Sequence, residues 1–277
     1  MPELPEVESL RRVLARSIVG RTIVSVRINE PRLRRAVAPD FPKLVSGRKI
    51  ERLRRRAKYL IVDLSGGKSM LSHLGMSGSL TYRDKDFMTG QFNARHDHIH
   101  FQLDDGNAMV YNDPRRFGLL KLVPRADLES TPELSALGPE PVSNAFDAAY
   151  LARTIHGRKA AIKNLLMDQR VVAGIGNIYA AEILFRAGVR PTRRAGRLKR
   201  AEIERIVDAT APILNAAIDG RGTTFRSYRD SSGRPGDFVT RLKVYGRAGE
   251  PCYVCGTPIR TTTLGQRSSF YCLTCQR

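Results

Sequence analysis

The sequence predicts a multidomain α+β protein: an antiparallel β-sandwich led by a helix, then a helical domain, then a short cysteine-clamped hairpin. Three observations predict it. Short β-type runs parted by turn signals fill the first half, helical periodicity fills Asp147 to Asp219, and all four cysteines fall in the last 26 residues. The expected divisions are 1–125 for the sandwich, 126–143 for a linker, 144–236 for the helical domain and 237–277 for the hairpin. A chain of 277 residues is long enough for about two ordinary domains and a real hydrophobic core.

The chain opens MPELPEVESLRRVL. Leu4, Val7, Leu10, Leu14 and Ile18 recur at helical spacing, Pro5 suits a first helical position, and Glu6 and Glu8 suit the positive end of a helix dipole. An amphipathic helix over 5–18 follows. It leaves Pro2 and Glu3, ahead of the helix, without a purpose. Six short runs come next: Thr22–Ile28, Tyr59–Leu64, Ser69–His73, His98–Leu103, Ala108–Tyr111 and Leu119–Leu122. Turns such as Ser65-Gly66-Gly67 and Asp104-Asp105-Gly106-Asn107 separate them, and no helix intervenes, which favours an antiparallel sandwich or flattened barrel. The segment RKIERLRRRAKYL (48–60) sets seven Lys or Arg against one Glu and reads as a solvated face or a rail for phosphates.

The stretch ADLESTPELSALGPEPVS reads as an interdomain crossing. Helical spacing then carries YLARTI, AAIKNLLMDQ, IYAAEILFRAG and KRAEIERIVDATAPILNAAI, followed by a flexible stretch rich in Gly, Ser and Arg over 220–237. Within VVAGIGNIYAAEIL (171–184), Asn177 is placed as the N-cap of a helix. Glycines beside a helix N-terminus suit close approach of a DNA phosphate, and equally suit an ordinary interhelical turn.

The cysteines form two Cys-x2-Cys pairs, Cys252/Cys255 and Cys272/Cys275, separated by 16 residues. That spacing is the signature of a zinc ribbon with four thiolates and no open position for catalysis. A disulfide framework needs an oxidising compartment for which no targeting signal is present, and a thioredoxin-like site uses one pair only. A tail of fewer than 40 residues needs the metal in order to fold. Lys and Arg number 47 against 27 acids, a net charge of +20, which points to a polyanionic partner, nucleic acid first among them. A merely soluble basic protein is the other reading. No segment approaches the ~18 apolar residues of a membrane span, so a cytoplasmic protein is expected.

HLGMSG (73–78) and DPRRFG (113–118) lie at strand ends, each with a bulky residue, Met76 or Phe117, beside glycine or arginine. Core is the usual fate of such residues; apolar wedges that unstack a base step are the alternative.

PELPEVE, AKYL, HLGMSG, HDH (96–98), DPRRFG, GIGNIYAAE and RSSFYCLTCQR occur in the order found in formamidopyrimidine-DNA glycosylases, and the chain resembles a full-length member of that bacterial repair family. Ser9 stands where that pattern commonly has Thr. The resemblance implies a sandwich, a helix–two-turn–helix domain and a zinc finger holding one structural Zn2+. It implies a bifunctional DNA glycosylase and abasic-site lyase, working as a monomer on duplex DNA with oxidised purines, in the bacterial cytoplasm at the nucleoid. Once Met1 is removed, Pro2 presents a secondary amine whose attack on the sugar gives a cationic iminium, an electron sink. Glu3 is then implied as general acid–base, and Glu6 and His73 as supports for the amine or sugar. Lys58 is implied to assist β-elimination and Arg267 δ-elimination. His96, Arg158, Lys163 and Asn177 are implied to contact the DNA backbone. Met76, Arg115 and Phe117 are implied to fill the duplex, and Gly222–Tyr228 to close over the extruded base. Two alternatives stand beside this reading: an endonuclease VIII-like preference for oxidised pyrimidines, and a damage-binding protein without chemistry.

Overall fold

The computed structural model describes residues 1–84, 94–223 and 238–277. By packing, these fall into two units, Met1–Ser135 with Ile218–Val239 and Ala136–Ala217 with Thr240–Arg277.

The first unit opens with helix α1 (Leu4–Ile18), in which Leu4, Val7, Leu10, Leu14 and Ile18 form the predicted buried stripe. Eight strands follow: β1 (Ile23–Ile28), β2 (Ile50–Arg56), β3 (Tyr59–Leu64), β4 (Lys68–His73), β5 (Ser79–Arg83), β6 (Asp97–Leu103), β7 (Ala108–Asn112) and β8 (Leu119–Pro124). They form two antiparallel sheets, ordered β1-β6-β7-β5 and β2-β3-β4-β8. A short helix α2 (Phe41–Val45) lies between β1 and β2. Side chains of both sheets, α1 and α2 share one core that includes Leu10, Phe41, Leu60, Met70, Phe101 and Tyr111. The sandwich expected from the sequence is therefore present, with α2, β2 and β5 added to the elements read from it.

Strand β2 corrects the reading of 48–60 as only a basic face. Its buried residues, Ile50 and Leu53, are three apart because a bulge between Ile50 and Arg52 breaks the period of two. Two of its arginines serve the fold: Arg52 and Arg54 hold the buried Asp63 carboxylate, at 3.1 Å and 2.8 Å. Ser69 Oγ donates to the same carboxylate at 2.7 Å.

The second unit carries α3 (Ala148–Ile155), α4 (Ile162–Met167), α5 (Asn177–Arg186) and most of α6 (Arg200–Asp219). Gln169 knots the chain between α4 and α5: its side chain donates to the carbonyls of Met167 and Ile175 and accepts from the Gly174 N–H at 2.8 Å. The unit closes with the hairpin β9 (Arg260–Leu264) and β10 (Arg267–Tyr271). Gly265 and Gln266 turn it with φ of +55° and +60°, the two positive angles that a tight two-residue hairpin demands. Among the described residues no helix is long and apolar enough to cross a membrane.

Candidate active site and nucleic-acid interface

The N-terminal turn is built around Glu6. Glu3 occupies the cap position of α1 with an extended backbone, and its N–H donates to Glu6 Oε2 at 2.9 Å. The other oxygen of Glu6 accepts both the Thr223 N–H (2.8 Å) and the Thr223 hydroxyl (3.1 Å). Gly222 makes this possible: at φ +80°, a Cβ there would stand 2.8 Å from the Glu6 carboxylate. Pro2, Glu3 and Glu6 are all buried, whereas Met1 is 42% exposed. Ser9, one turn along α1, donates to the carbonyl of Ile218. Of the stretch expected to close over a base, Gly222 and Thr223 are described; Thr224 to Tyr228 lie outside the described residues.

Lys58 sits in the two-residue turn between β2 and β3, beside Ala57, whose φ of +52° is unusual for a residue with a Cβ. Lys58 is buried and acts electrostatically on His73, which faces Tyr59 across the β3–β4 pair with ring centroids 4.9 Å apart. Burial first, then Lys58 and Arg34, push the His73 imidazole down to about 4, so it is neutral at physiological pH. Its Nδ1 accepts the Gly75 N–H at 2.9 Å, which places the ring proton on Nε2.

His73 leads into the loop that carries Met76, and the end of β7 leads into the loop that carries Phe117. Both side chains are exposed, Met76 at 39% and Phe117 at 45%, and so do not meet the usual core fate of their types. The Arg115 guanidinium lies 4.7 Å over the Phe117 ring. The loops are pressed together: a Cβ on Gly75 (φ +62°) would stand 2.5 Å from the Phe117 carbonyl carbon. A Cβ on Gly118 would overlap the Tyr111 hydroxyl, which donates to the His73 carbonyl at 3.0 Å. His96 lines a cavity of about 450 Å³ with Asn29, Arg95, His98 and Arg116, and its carbonyl accepts the Asp113 N–H.

In the second unit Arg158 and Arg267 are exposed. Arg267 begins β10, next to the hairpin turn. Lys163 is fully buried, and its Nζ donates to Asn177 Oδ1 (2.5 Å), Ser268 O (3.1 Å) and Ser269 Oγ (2.6 Å). It thus fixes Asn177 from beneath and does not present an exposed ammonium to a phosphate. Asn177 also differs from expectation. The cap of α5 is Gly176: Asn177 Oδ1 accepts from Lys163, and one of its two Nδ2–H groups goes to Ser268 O at 3.1 Å.

The four cysteine Sγ atoms all lie within 4.8 Å of one another, with closest approaches of 3.4 Å, 3.5 Å and 3.9 Å. Four thiolates about 2.3 Å from a tetrahedral zinc would be about 3.8 Å apart, so the cluster fits one closed, structural Zn2+. Val244, Ile259 and Ala181 of α5 pack with Cys252 and Cys272 into a small core of their own. Glu182, missed by the sequence reading for want of any local signal, ties this ribbon to α5. Its buried carboxylate accepts the N–H groups of Lys243 (2.8 Å), Val244 (3.0 Å) and Tyr245 (2.9 Å). Burial pushes that carboxyl up despite the three donors.

Comparison with known proteins matches three family profiles in this order. They are the formamidopyrimidine-DNA glycosylase N-terminal domain over residues 1–120, the formamidopyrimidine-DNA glycosylase H2TH domain over 137–228, and the zinc finger found in FPG and IleRS over 249–277. The formamidopyrimidine-DNA glycosylase of Methylococcus capsulatus is 48% identical, with both chains covered in full. The crystal structure of the Fpg protein from Thermus thermophilus superposes with a TM-score of 0.87 at 39% identity, over 99% of this chain and 98% of that one. A Lactococcus lactis FPG variant, solved in complex with Fapy-dG-containing DNA, superposes with a TM-score of 0.91 at 31% identity, over 100% of both chains. The capped N-terminal turn, the paired loops of the sandwich and the cysteine cluster thus sit on a scaffold matched from end to end, and the chain belongs to the formamidopyrimidine-DNA glycosylase family.

Proposed function

We propose that the protein is a base-excision-repair DNA glycosylase and abasic-site lyase that removes oxidised purines, 8-oxoguanine and formamidopyrimidines, from duplex DNA. The observation that carries this reading is the N-terminal turn: a buried Pro2 next to Glu3, whose N–H is held by Glu6 at the start of α1, in a chain aligned with glycosylases over its whole length. With Met1 in place the Pro2 nitrogen is an amide, so the reactive form is the one from which Met1 has been removed. Its amine then stands at the positive end of α1, which disfavours the ammonium and supplies the free base.

In the proposed reaction the Pro2 nitrogen bonds to the sugar C1′. The bond from C1′ to the base breaks, its electron pair leaving with the base, which takes up a proton. Glu3 delivers a proton to the ring oxygen as the sugar opens, leaving a cationic iminium between Pro2 and C1′. Loss of a C2′ proton sends its electrons into the iminium and expels the 3′ phosphate; a second elimination expels the 5′ phosphate, and water hydrolyses the remaining imine. Lys58 and Arg267 are assigned to the phosphates leaving in these two eliminations, and neutral His73, with its Nε2–H, to support of the sugar. Met76, Arg115 and Phe117 fill the stack vacated by the flipped nucleotide, and His96, Arg158 and Asn177 grip the backbone. Lys163 acts through Asn177. Such work on the chromosome is done at the nucleoid.

Borohydride added during reaction with an 8-oxoguanine duplex should trap a covalent protein–DNA adduct, and Pro2→Gly should lose both adduct and strand scission. Full-rate scission by Pro2→Gly without trapping overturns the assignment. Binding of an abasic duplex without any cleavage would favour the damage-binding alternative. Competition between 8-oxoguanine and an oxidised pyrimidine in one assay separates the two lesion preferences.

A further inference from the structure

The two loops that carry Met76 and Arg115/Phe117 come from different parts of the first sheet pair, yet one buried carboxylate holds both. Asp113 is fully buried. Its Oδ1 accepts the Ser77 hydroxyl at 3.0 Å, from the loop of Met76, and the Arg115 N–H at 3.3 Å, from the loop of Phe117. Its Oδ2 accepts the Gly118 N–H at 2.8 Å. Its carbonyl accepts His98 Nε2–H at 2.8 Å and the Arg116 N–H at 3.1 Å, and its own N–H goes to His96 O at 3.1 Å. Every polar atom of the residue is engaged. Around this tie the backbone is constrained as well: Arg116 has φ +56°, and Gly75 leaves no room for a Cβ against Phe117.

A wedge that enters a base stack meets the cost of unstacking. If the wedge must also be ordered at that moment, the ordering cost is added; if it is already fixed, it is not. Asp113 touches neither a base nor a reacting atom. We infer that Asp113, through its cross-loop bond to Ser77, is a positioning residue that makes Met76, Arg115 and Phe117 one preformed wedge, and so sets the rate of insertion into damaged duplex. This rests on the glycosylase reading given above, and extends it to a residue with no exposed surface. A plain structural role for Asp113 predicts something different: general loss of fold and of every activity alike.

The test uses the full-length, zinc-loaded protein. Duplex carrying a stable abasic analogue, with 2-aminopurine facing it in the other strand, reports insertion as a rise in fluorescence. A single-stranded abasic oligonucleotide with borohydride reports the amine chemistry without a stack to enter. Ser77→Ala removes only the cross-loop bond and should slow the fluorescence rise and excision from duplex on the order of ten-fold, with trapping on the single strand within about two-fold of the unaltered protein. Asp113→Asn, which in either orientation sets an NH2 against a backbone N–H that a carboxylate oxygen now accepts, should slow insertion further. Ser77→Thr, which keeps the hydroxyl, should restore it. Insertion at the unaltered rate in both Ser77→Ala and Asp113→Asn overturns the inference, as does an equal loss on single strand and duplex. If the unaltered protein itself gives neither a fluorescence rise nor an adduct, the glycosylase reading falls first, and this one with it.

Discussion

His73 shows how much of the chemistry is set by surroundings that a single residue letter does not reveal. Burial, Lys58 and Arg34 together hold its imidazole at about 4, well under the usual value near 6.5. The sign of the pH effect follows. Between about pH 6.5 and pH 4 the unfolded chain takes up a proton here that the folded chain refuses, so stability falls as pH falls through that window and is fully present above it. In urea unfolding the slope of stability against pH in that window should be shallower in His73→Gln than in the unaltered protein. Other residues were legible to different depths. Pro2, Glu3 and Glu6 stand in a local motif, and the structure brings Glu3 and Glu6 into direct contact. The partner of Glu6 at Thr223 lies 217 positions away, with nothing local to announce it. Lys163 enters only through the family resemblance, as a contact to the DNA backbone, and a shared motif does not tell which way a side chain points. Here it is wholly buried under Asn177.

At the scale of elements, periodicity recovered what was periodic. Helices α1, α3, α4, α5 and α6 and six strands stand where helical spacing or short β-type runs place them. Strand β2 was missed because its bulge shifts the buried positions out of alternation, and β5 because five residues with Arg and Thr carry too little pattern. The cap of α5 was misplaced by one residue, since an asparagine that suits a cap was already committed to the hairpin. The carboxylate that joins α5 to the ribbon has a consequence at this scale. Glu182→Ala would take the carboxylate acceptor from three backbone N–H groups, of which that of Val244 is buried, at a cost of about 1–3 kcal/mol for each one that water fails to reach. Thermal unfolding should show the loss in the second unit, while Glu182→Gln, which retains one acceptor, should recover part of it.

For the whole molecule the decisive quantities are charge and metal. A surplus of 20 positive charges opposes compaction, and it is tolerated because each unit has its own buried core and because arginines such as Arg52 and Arg54 are spent on internal acids. The cysteine ribbon has little apolar substance of its own, and zinc binding in comparable small fingers contributes about 10–16 kcal/mol. Chelation should therefore remove hydrogen-exchange protection from Pro251–Arg277 while the sandwich strands keep theirs, and readdition of zinc should restore it. The effect should not stop at the hairpin. Ser268 and Ser269 of β10 receive the Lys163 ammonium, and Ser268 also receives the Asn177 amide. An ion starved from the tail would thus set a buried cation loose in the middle of the chain, so that scarcity of a nutrient metal is felt as misalignment at a helix start that holds no metal ligand of its own.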